Sequence, residues 1–196
     1  MIYLISTNRP EWAEFAYQQY LKVGEGSLIV LDNSPDGIPF WKDKAQHFHI
    51  PQCKNVGEMF NWFCDNYHGE YDLFYMDDDI EIGSDTIPKM KAEFKNGYDC
   101  VKLCQVYVTD RHTGKSALWR RRAKHIGAAW MARSSLWRLS RFENIKIGGV
   151  IAYFRDLLDY NCRFLTEPLA NYILHDKNVI LKRIMFDFNL PQITLK

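Results

Sequence analysis

Apolar positions along the chain fall into short continuous runs separated by segments of helical spacing. Ile2-Tyr3-Leu4-Ile5 is the first run, and it stops in the polar Ser6-Thr7-Asn8-Arg9-Pro10. A short apolar run bounded by turn residues predicts a strand buried on both faces. Proline then opens a helix through about residue 20, with Trp12, Phe15, Ala16 and Gln19 at helical spacing. Gly24 and Gly26 end it, residues 27–31 predict a second buried strand, and Asp32-Asn33-Ser34-Pro35-Asp36-Gly37 is the turn that follows. Residues 47–50 predict a short third strand with His47 and His49 on one face. Asn55-Val56-Gly57 opens a second helix through about residue 67, whose apolar stripe is Met59, Phe60, Phe63 and Cys64. After Gly69, the aromatic run of residues 71–76 predicts a central strand that ends abruptly at Asp77-Asp78-Asp79.

Strands alternating with helices in this way predict an α/β protein: a mixed, mainly parallel sheet flanked by helices on both faces, in a single domain. The C-terminal ends of parallel strands lie along one edge. Thr7-Asn8-Arg9, Asp32-Asn33-Ser34 and Asp77-Asp78-Asp79 are therefore expected to line one crevice. The second half is less regular. A helix is expected over 84–96, one strand over 99–108, a polar and basic stretch over 109–124, and a strand over 128–133 followed by a short helix. A helix then follows Gly148-Gly149 through Asp159, and short strands over 163–165 and 170–174 lead to His175. Residues 179–188 read as an amphipathic tail.

The composition, 47% hydrophobic and 15% aromatic over 196 residues, belongs to a compact globule and excludes a disordered chain. A net charge of +1 supplies no global field for a polyanionic partner. The cysteines (Cys53, Cys64, Cys100, Cys104 and Cys162) are odd in number and form no C-x-x-C pair, which points to reduced, packed thiols. No apolar run approaches membrane-spanning length and the first strand has no basic lead, so the expectation is a cytoplasmic protein without membrane insertion.

Three adjacent aspartates repel one another, so the cluster favours a cation or a proton. In extended backbone Asp77 and Asp79 share a face and Asp78 takes the other. Two hard oxygen ligands on one face suit Mg²⁺ or Mn²⁺ shared with a diphosphate; the competing reading is a solvated turn or helix cap. Between Asp110 and Lys146, basic residues far outnumber acids, and Tyr107, Trp119, Trp130 and Trp137 lie in or beside that stretch. Cations with aromatics suit nucleic acid, or the apolar faces of sugars. A solvated basic loop beside a tryptophan-rich core is the alternative.

Taken together, Ser6-Thr7-Asn8-Arg9-Pro10, Asp32-Asn33-Ser34, Asn55-x-Gly57 with Asn61, Asp77-Asp78-Asp79, Gly127-x-x-Trp130-Met131-x-Arg133 and the run from Cys162 to His175 resemble the GT-A fold nucleotide-sugar glycosyltransferases. The likeness is to the large family with many bacterial inverting enzymes, and it covers residues 1–176. It implies a Rossmann-like GT-A domain with a nucleotide-sugar half (1–82), an acceptor half (83–176) and a helical tail (177–196). The implied reaction is metal-dependent transfer from a nucleotide sugar, a UDP-sugar foremost, to a hydroxyl. On this resemblance Thr7, Arg9 and Asp32 hold the nucleobase and ribose, with Asn8, Asn55, Gly57, Asn61, Asp77 and Asp78 completing the donor site. Asp79 would hold Mn²⁺ or Mg²⁺, Asp77 would reach the ribose or the metal, His175 would be a further metal ligand or a phosphate contact, and Lys177 would reach the diphosphate. The family places its catalytic base in an acidic pair at a helix start after a glycine-rich turn. Here Arg155 stands at the first of those positions, so Asp156 is the candidate base and Asp159 the reserve. Arg120, Arg121, Arg122 and Trp130 would shape the acceptor site, for a saccharide or, as in some viral enzymes, a hydroxymethylated base in DNA. Two other classes share these raw materials. One is nucleotidyl transfer, which usually starts from a glycine-rich or basic phosphate loop, and Ser6–Pro10 is not glycine-rich. The other is a non-catalytic nucleic-acid-binding α/β module built on the 110–146 stretch.

Overall fold

The computed structural model describes residues 1–23, 26–120, 126–139, 141, 161–175 and 192–194. The first half follows the expected alternation: β1 (Ile2–Thr7), a 3-10 turn (Pro10–Trp12), α1 (Ala13–Val23), β2 (Ser27–Asp32), a second 3-10 turn (Pro39–Trp41), β3 (Gln46–His49), α2 (Val56–Asn66) and β4 (Leu73–Asp77). After it come β5 (Ile80–Ile82), α3 (Thr86–Lys95), β6 (Cys100–Leu103), β7 (Gln105–Asp110), β8 (Lys115–Arg120), β9 (Ile126–Ala132), α4 (Ser134–Trp137), β10 (Cys162–Leu165), β11 (Ala170–Leu174) and β12 (Gln192–Thr194).

The main sheet has the order β10-β6-β9-β4-β1-β2-β3. β1 lies at its heart, pairing in parallel with β2 and β4, while β9 runs antiparallel between β4 and β6. Every residue of β1 is buried, and the two-residue period of a strand divides them between two layers. Tyr3 and Ile5 pack with Ala13 and Ala16 of α1 and Ile87, Met90 and Phe94 of α3. Ile2 and Leu4 pack with Met59, Phe60 and Phe63 of α2 and with Leu136 and Trp137 of α4. Helices therefore cover both faces, as a parallel sheet requires.

The start of α2 is fixed by a reciprocal cap. Asn55 Oδ1 accepts from the Glu58 N–H at 3.0 Å, and Glu58 Oε2 accepts from the Lys54 N–H at 2.7 Å. Two donors with no intrahelical partner are thus satisfied by a pattern visible in the sequence.

A second sheet, β12-β8-β7-β11-β5, was not anticipated. The single strand expected over 99–108 is two strands in two sheets. They part at Cys104, whose N–H bonds the carbonyl of Leu165 at 3.1 Å. The polar stretch expected after residue 108 instead forms a hairpin of β7 with β8, turning at Gly114 with φ +67°. Only glycine adopts that conformation without strain. The tail, expected to be helical, contributes the strand β12 against β8. The helix expected after Gly148-Gly149 and the amphipathic stretch 179–188 lie outside the described residues. Among the described residues, no helix is long and apolar enough to cross a membrane.

Trp137 shows what holds the α2–α4 layer. It is fully buried, stacks on Phe63 with centroids 5.2 Å apart, and donates from Nε1 to the Tyr71 carbonyl at 2.9 Å. Trp137→Ala is expected to destabilise the protein by about 3–5 kcal/mol, read from the midpoint of urea unfolding followed by circular dichroism.

Candidate functional site

A cavity of about 420 Å³ opens at the C-terminal ends of β1, β2 and β4. Ser6, Thr7, Asn8 and Arg9 come from the end of β1, Asn33 from the loop after β2, and Asp77 and Asp78 from the end of β4. Lys54, Asn55, Val56 and Met59 bring the first turn of α2, and Tyr172 comes from β11. Six of the expected positions therefore converge: Thr7, Asn8, Arg9, Asn55, Asp77 and Asp78. Gly57 and Asn61 sit in α2 but do not line the cavity.

The acidic triplet does not continue as a strand. Asp77 is the last residue of β4, and Asp78-Asp79 form the turn into β5, so the expected alternation of carboxylates stops at Asp77. Asp78 and Asp79 are 1% and 0% exposed. Buried carboxylates at this depth require a paired cation, and Arg9 is that cation. Its Nε and Nη2 take the two oxygens of Asp78, the first at 3.2 Å, while Nη1 bonds Asp79 Oδ2 at 3.0 Å. Thr7 Oγ1 donates to Asp78 Oδ2 at 2.6 Å and accepts from the Arg9 N–H at 3.2 Å, which orients both members of the pair.

His175 joins the same cluster from the end of β11. The pairing of β11 with β5, extended by Ile173 N–H to the Asp79 carbonyl at 3.0 Å, brings its Nε2 to 3.2 Å from Asp79 Oδ2 and onto Arg9 Nη1. Nε2 thus faces a guanidinium donor and a carboxylate acceptor at once. Trp12 backs this arrangement, with its ring 4.9 Å from that of His175 and the guanidinium of exposed Arg111 5.2 Å from its centroid.

Asp77 faces different surroundings. Its Oδ1 accepts from the Tyr75 hydroxyl at 2.6 Å, and Tyr75 lies 2.7 Å from Ser6 Oγ. Tyr75 has one proton to give, so Ser6 donates to Tyr75 and Tyr75 to Asp77. Burial, and secondly the charge of Asp79, push the Asp77 carboxyl up to about 7, against the opposing pull of the Tyr75 hydrogen bond and Arg9.

The metal ligand set Asp77, Asp79 and His175 is not assembled. Among the described residues no three carboxylate, imidazole or thiol groups converge on a metal position. The guanidinium of Arg9 contacts both Asp79 and His175, which also touch each other.

Asp32 is not among the residues that line the cavity. It is fully buried, and its oxygens accept from the N–H groups of Ser34 and Ile38 at 2.8 and 2.6 Å and face His47 Nε2 at 3.0 Å. It shapes the loop after β2, and its neighbour Asn33 lines the cavity instead. Trp130, expected at the acceptor site, is 1% exposed and packs in the core between Tyr75 and Phe60, with centroids at 5.3 and 5.7 Å. It braces the aromatic ring that bonds Asp77 and presents no face to a ligand.

The basic stretch is not one surface. Arg133 bonds the carbonyls of Tyr98 and Phe94, Arg138 pairs with Glu70 and Arg141 with Asp65. These contacts lie at the N-terminal end of β4, across the sheet from the cavity, because β9 runs antiparallel to β4. Arg120 ends β8, whereas Arg121, Arg122, Asp156, Asp159 and Lys177 lie outside the described residues. Lys54 and Tyr172 carry no motif that sequence reading would single out. Lys54 was findable only as the residue before the α2 cap, and Tyr172 only through the pairing of β11.

The sequence matches no family profile and no curated protein. The backbone is similar to solved structures. A crystal structure of S. aureus TarS 1–349 matches over 88% of this chain and 60% of its own, with TM-score 0.66 and 12% identity. GalNAc-T7 with UDP, GalNAc and Mn²⁺ matches over 89% of this chain and 44% of its own, with TM-score 0.65 and 9% identity. A 4-diphosphocytidyl-2C-methyl-D-erythritol synthase from Anaerococcus prevotii matches over 95% and 97% of the two chains, with TM-score 0.60 and 9% identity. The chain thus spans 60% of the TarS structure and less than half of GalNAc-T7. Likeness at this identity establishes the fold: a GT-A-like, mixed α/β domain with a mainly parallel sheet.

The raised pKa of Asp77 has a consequence for stability. A carboxyl raised from 3.8 to about 7 on folding contributes stability that is full below pH 3.8 and lost as pH rises through about 7. In chelator, Asp77→Asn is expected to remove this loss. The melting temperature of the variant should rise relative to wild type between pH 4 and pH 8, and parallel curves would show that Asp77 titrates normally.

Proposed function

We propose that the protein transfers a sugar from a nucleoside-diphosphate sugar to a hydroxyl acceptor. The observation that carries this reading is the lining of the cavity. Arg9, Lys54 and the first turn of α2 bring a guanidinium, an ammonium and amide donors to the lining, groups suited to phosphate oxygens. Thr7, Asn8, Asn33 and Asn55 supply short polar groups for a base and ribose, and Asp77 offers an acceptor oxygen for ribose hydroxyls. A cavity of about 420 Å³ falls within the usual range of small-molecule sites. The fold similarity to a GalNAc-T7 structure that holds UDP supports a UDP-sugar as the first donor to try.

In the transfer, the bond from the anomeric carbon to the diphosphate oxygen breaks as the acceptor oxygen bonds to that carbon. Negative charge builds on the departing diphosphate, and Arg9 and Lys54 stabilise it. The acceptor proton goes to a carboxylate, for which Asp156, with Asp159 in reserve, is the proposed base. The acceptor is a saccharide or a hydroxymethylated base in DNA, and Arg120, Arg121 and Arg122 are proposed to meet it.

Nucleotidyl transfer is the second reading, favoured by the near-complete match to the diphosphocytidyl synthase chain. The two differ in product: sugar transfer releases a nucleoside diphosphate, nucleotidyl transfer releases pyrophosphate. Incubation with a panel of nucleotide sugars should give slow hydrolysis of one donor and release of its nucleoside diphosphate. Pyrophosphate release from a nucleoside triphosphate would shift the assignment to the second reading. Asp77→Ala is expected to weaken donor binding by about 10- to 100-fold with the fold retained; unchanged binding would remove Asp77 from the site. Asp156→Asn is expected to lower turnover with acceptor by about 100-fold or more while donor binding stays intact. Transfer to hydroxymethylated DNA, and not to saccharides, would decide the acceptor.

A further inference from the structure

Two of the three aspartates at the end of β4 already hold a cation, and it belongs to the chain. Arg9 grips both oxygens of Asp78 through Nε and Nη2, and its Nη1 contacts both Asp79 Oδ2 and His175 Nε2, which also touch each other. A divalent ion bound by Asp79 and His175 would stand against that fixed positive charge at contact distance. Arg9 is also hard to move. The fork of two parallel bonds to one carboxylate is the strongest geometry a guanidinium makes. Thr7 holds Asp78 from behind at 2.6 Å, and Trp12 backs His175. Withdrawing Arg9 would take the guanidinium from two buried carboxylates. Yet Arg9 also lines the cavity, with Lys54 and the first turn of α2 on the same lining.

The geometry points to Arg9 as the protein's own substitute for the divalent cation. Its guanidinium, aimed by Asp78, Asp79 and His175, meets the diphosphate, so nucleotide binding requires neither Mn²⁺ nor Mg²⁺. Asp78, Asp79 and His175 are then positioning residues that orient Arg9. Lys54 and the α2 N-terminus supply the remaining positive potential. This inference rests on the nucleotide-sugar reading of the cavity.

The test titrates the full chain with UDP, GDP, CDP and ADP by calorimetry, once in EDTA and once in MnCl₂. Mn²⁺ uptake by the nucleotide-free protein is followed in parallel by electron paramagnetic resonance. The tightest nucleotide is expected to bind with dissociation constants within about threefold of each other in the two buffers, and the wild type should take up no stoichiometric Mn²⁺. Arg9→Ala should weaken nucleotide binding by about tenfold or more in EDTA. Because it frees Asp78, Asp79 and His175, that variant should also gain Mn²⁺ uptake. Arg9→Lys, which keeps the charge and loses the fork, should fall between; with the wild-type comparison it decides the matter if Arg9→Ala fails to fold. Nucleotide binding that requires Mn²⁺, or Mn²⁺ uptake by the wild type that Asp79→Asn abolishes, would overturn the inference alone. No nucleotide binding in either buffer would overturn the nucleotide-sugar reading and this inference together.

Discussion

The ion cluster of Arg9, Asp78 and Asp79 is the constraint around which the rest of this structure is arranged. Two fully buried carboxylates share one guanidinium, with Thr7 on Asp78 and His175 on Asp79. Its members come from the end of β1 and the β4–β5 turn, about 70 residues apart, and His175 reaches it from the end of β11. The register of β11 against β5 is therefore tied to the electrostatics of the site. If that pairing slipped by one residue, His175 would leave Asp79 and the side chains of β11 would exchange faces.

The aromatic layer beneath the sheet extends the same logic to Asp77. Phe60, Trp130 and Tyr75 pack in succession, and the Tyr75 hydroxyl bonds Asp77 directly. Core packing and site chemistry are thus joined through one ring. The triplet is divided between two environments: Asp78 and Asp79 are bound by Arg9, and Asp77 accepts from the Tyr75 hydroxyl at the cavity wall. Environment, not residue type, gives three identical side chains different tasks.

The fold is shared with proteins whose sequences are almost unrelated to this one, and a shared fold supplies a crevice without dictating its chemistry. Here Arg9, Lys54, Asn33 and Tyr172 are among the residues that line it. None of these is fixed by the sheet order alone.

The chain's own pattern determined the first half. Buried runs ending at Thr7, Asp32 and Asp77, with helices between them, dictate a parallel sheet whose loops meet at one edge. The Asn55–Glu58 cap and the opening proline are equally local and equally legible. Only the tertiary structure decided the partners. Asp32 turned to its own loop, Trp130 went into the core, Arg133, Arg138 and Arg141 paired at the far end of the sheet, and Arg9 settled on Asp78 and Asp79. Residues 100–110 divided between two sheets for the same reason. Periodicity and turn chemistry act over a few residues, whereas these outcomes are settled by contacts between side chains tens of residues apart, and no local pattern records which of them meet.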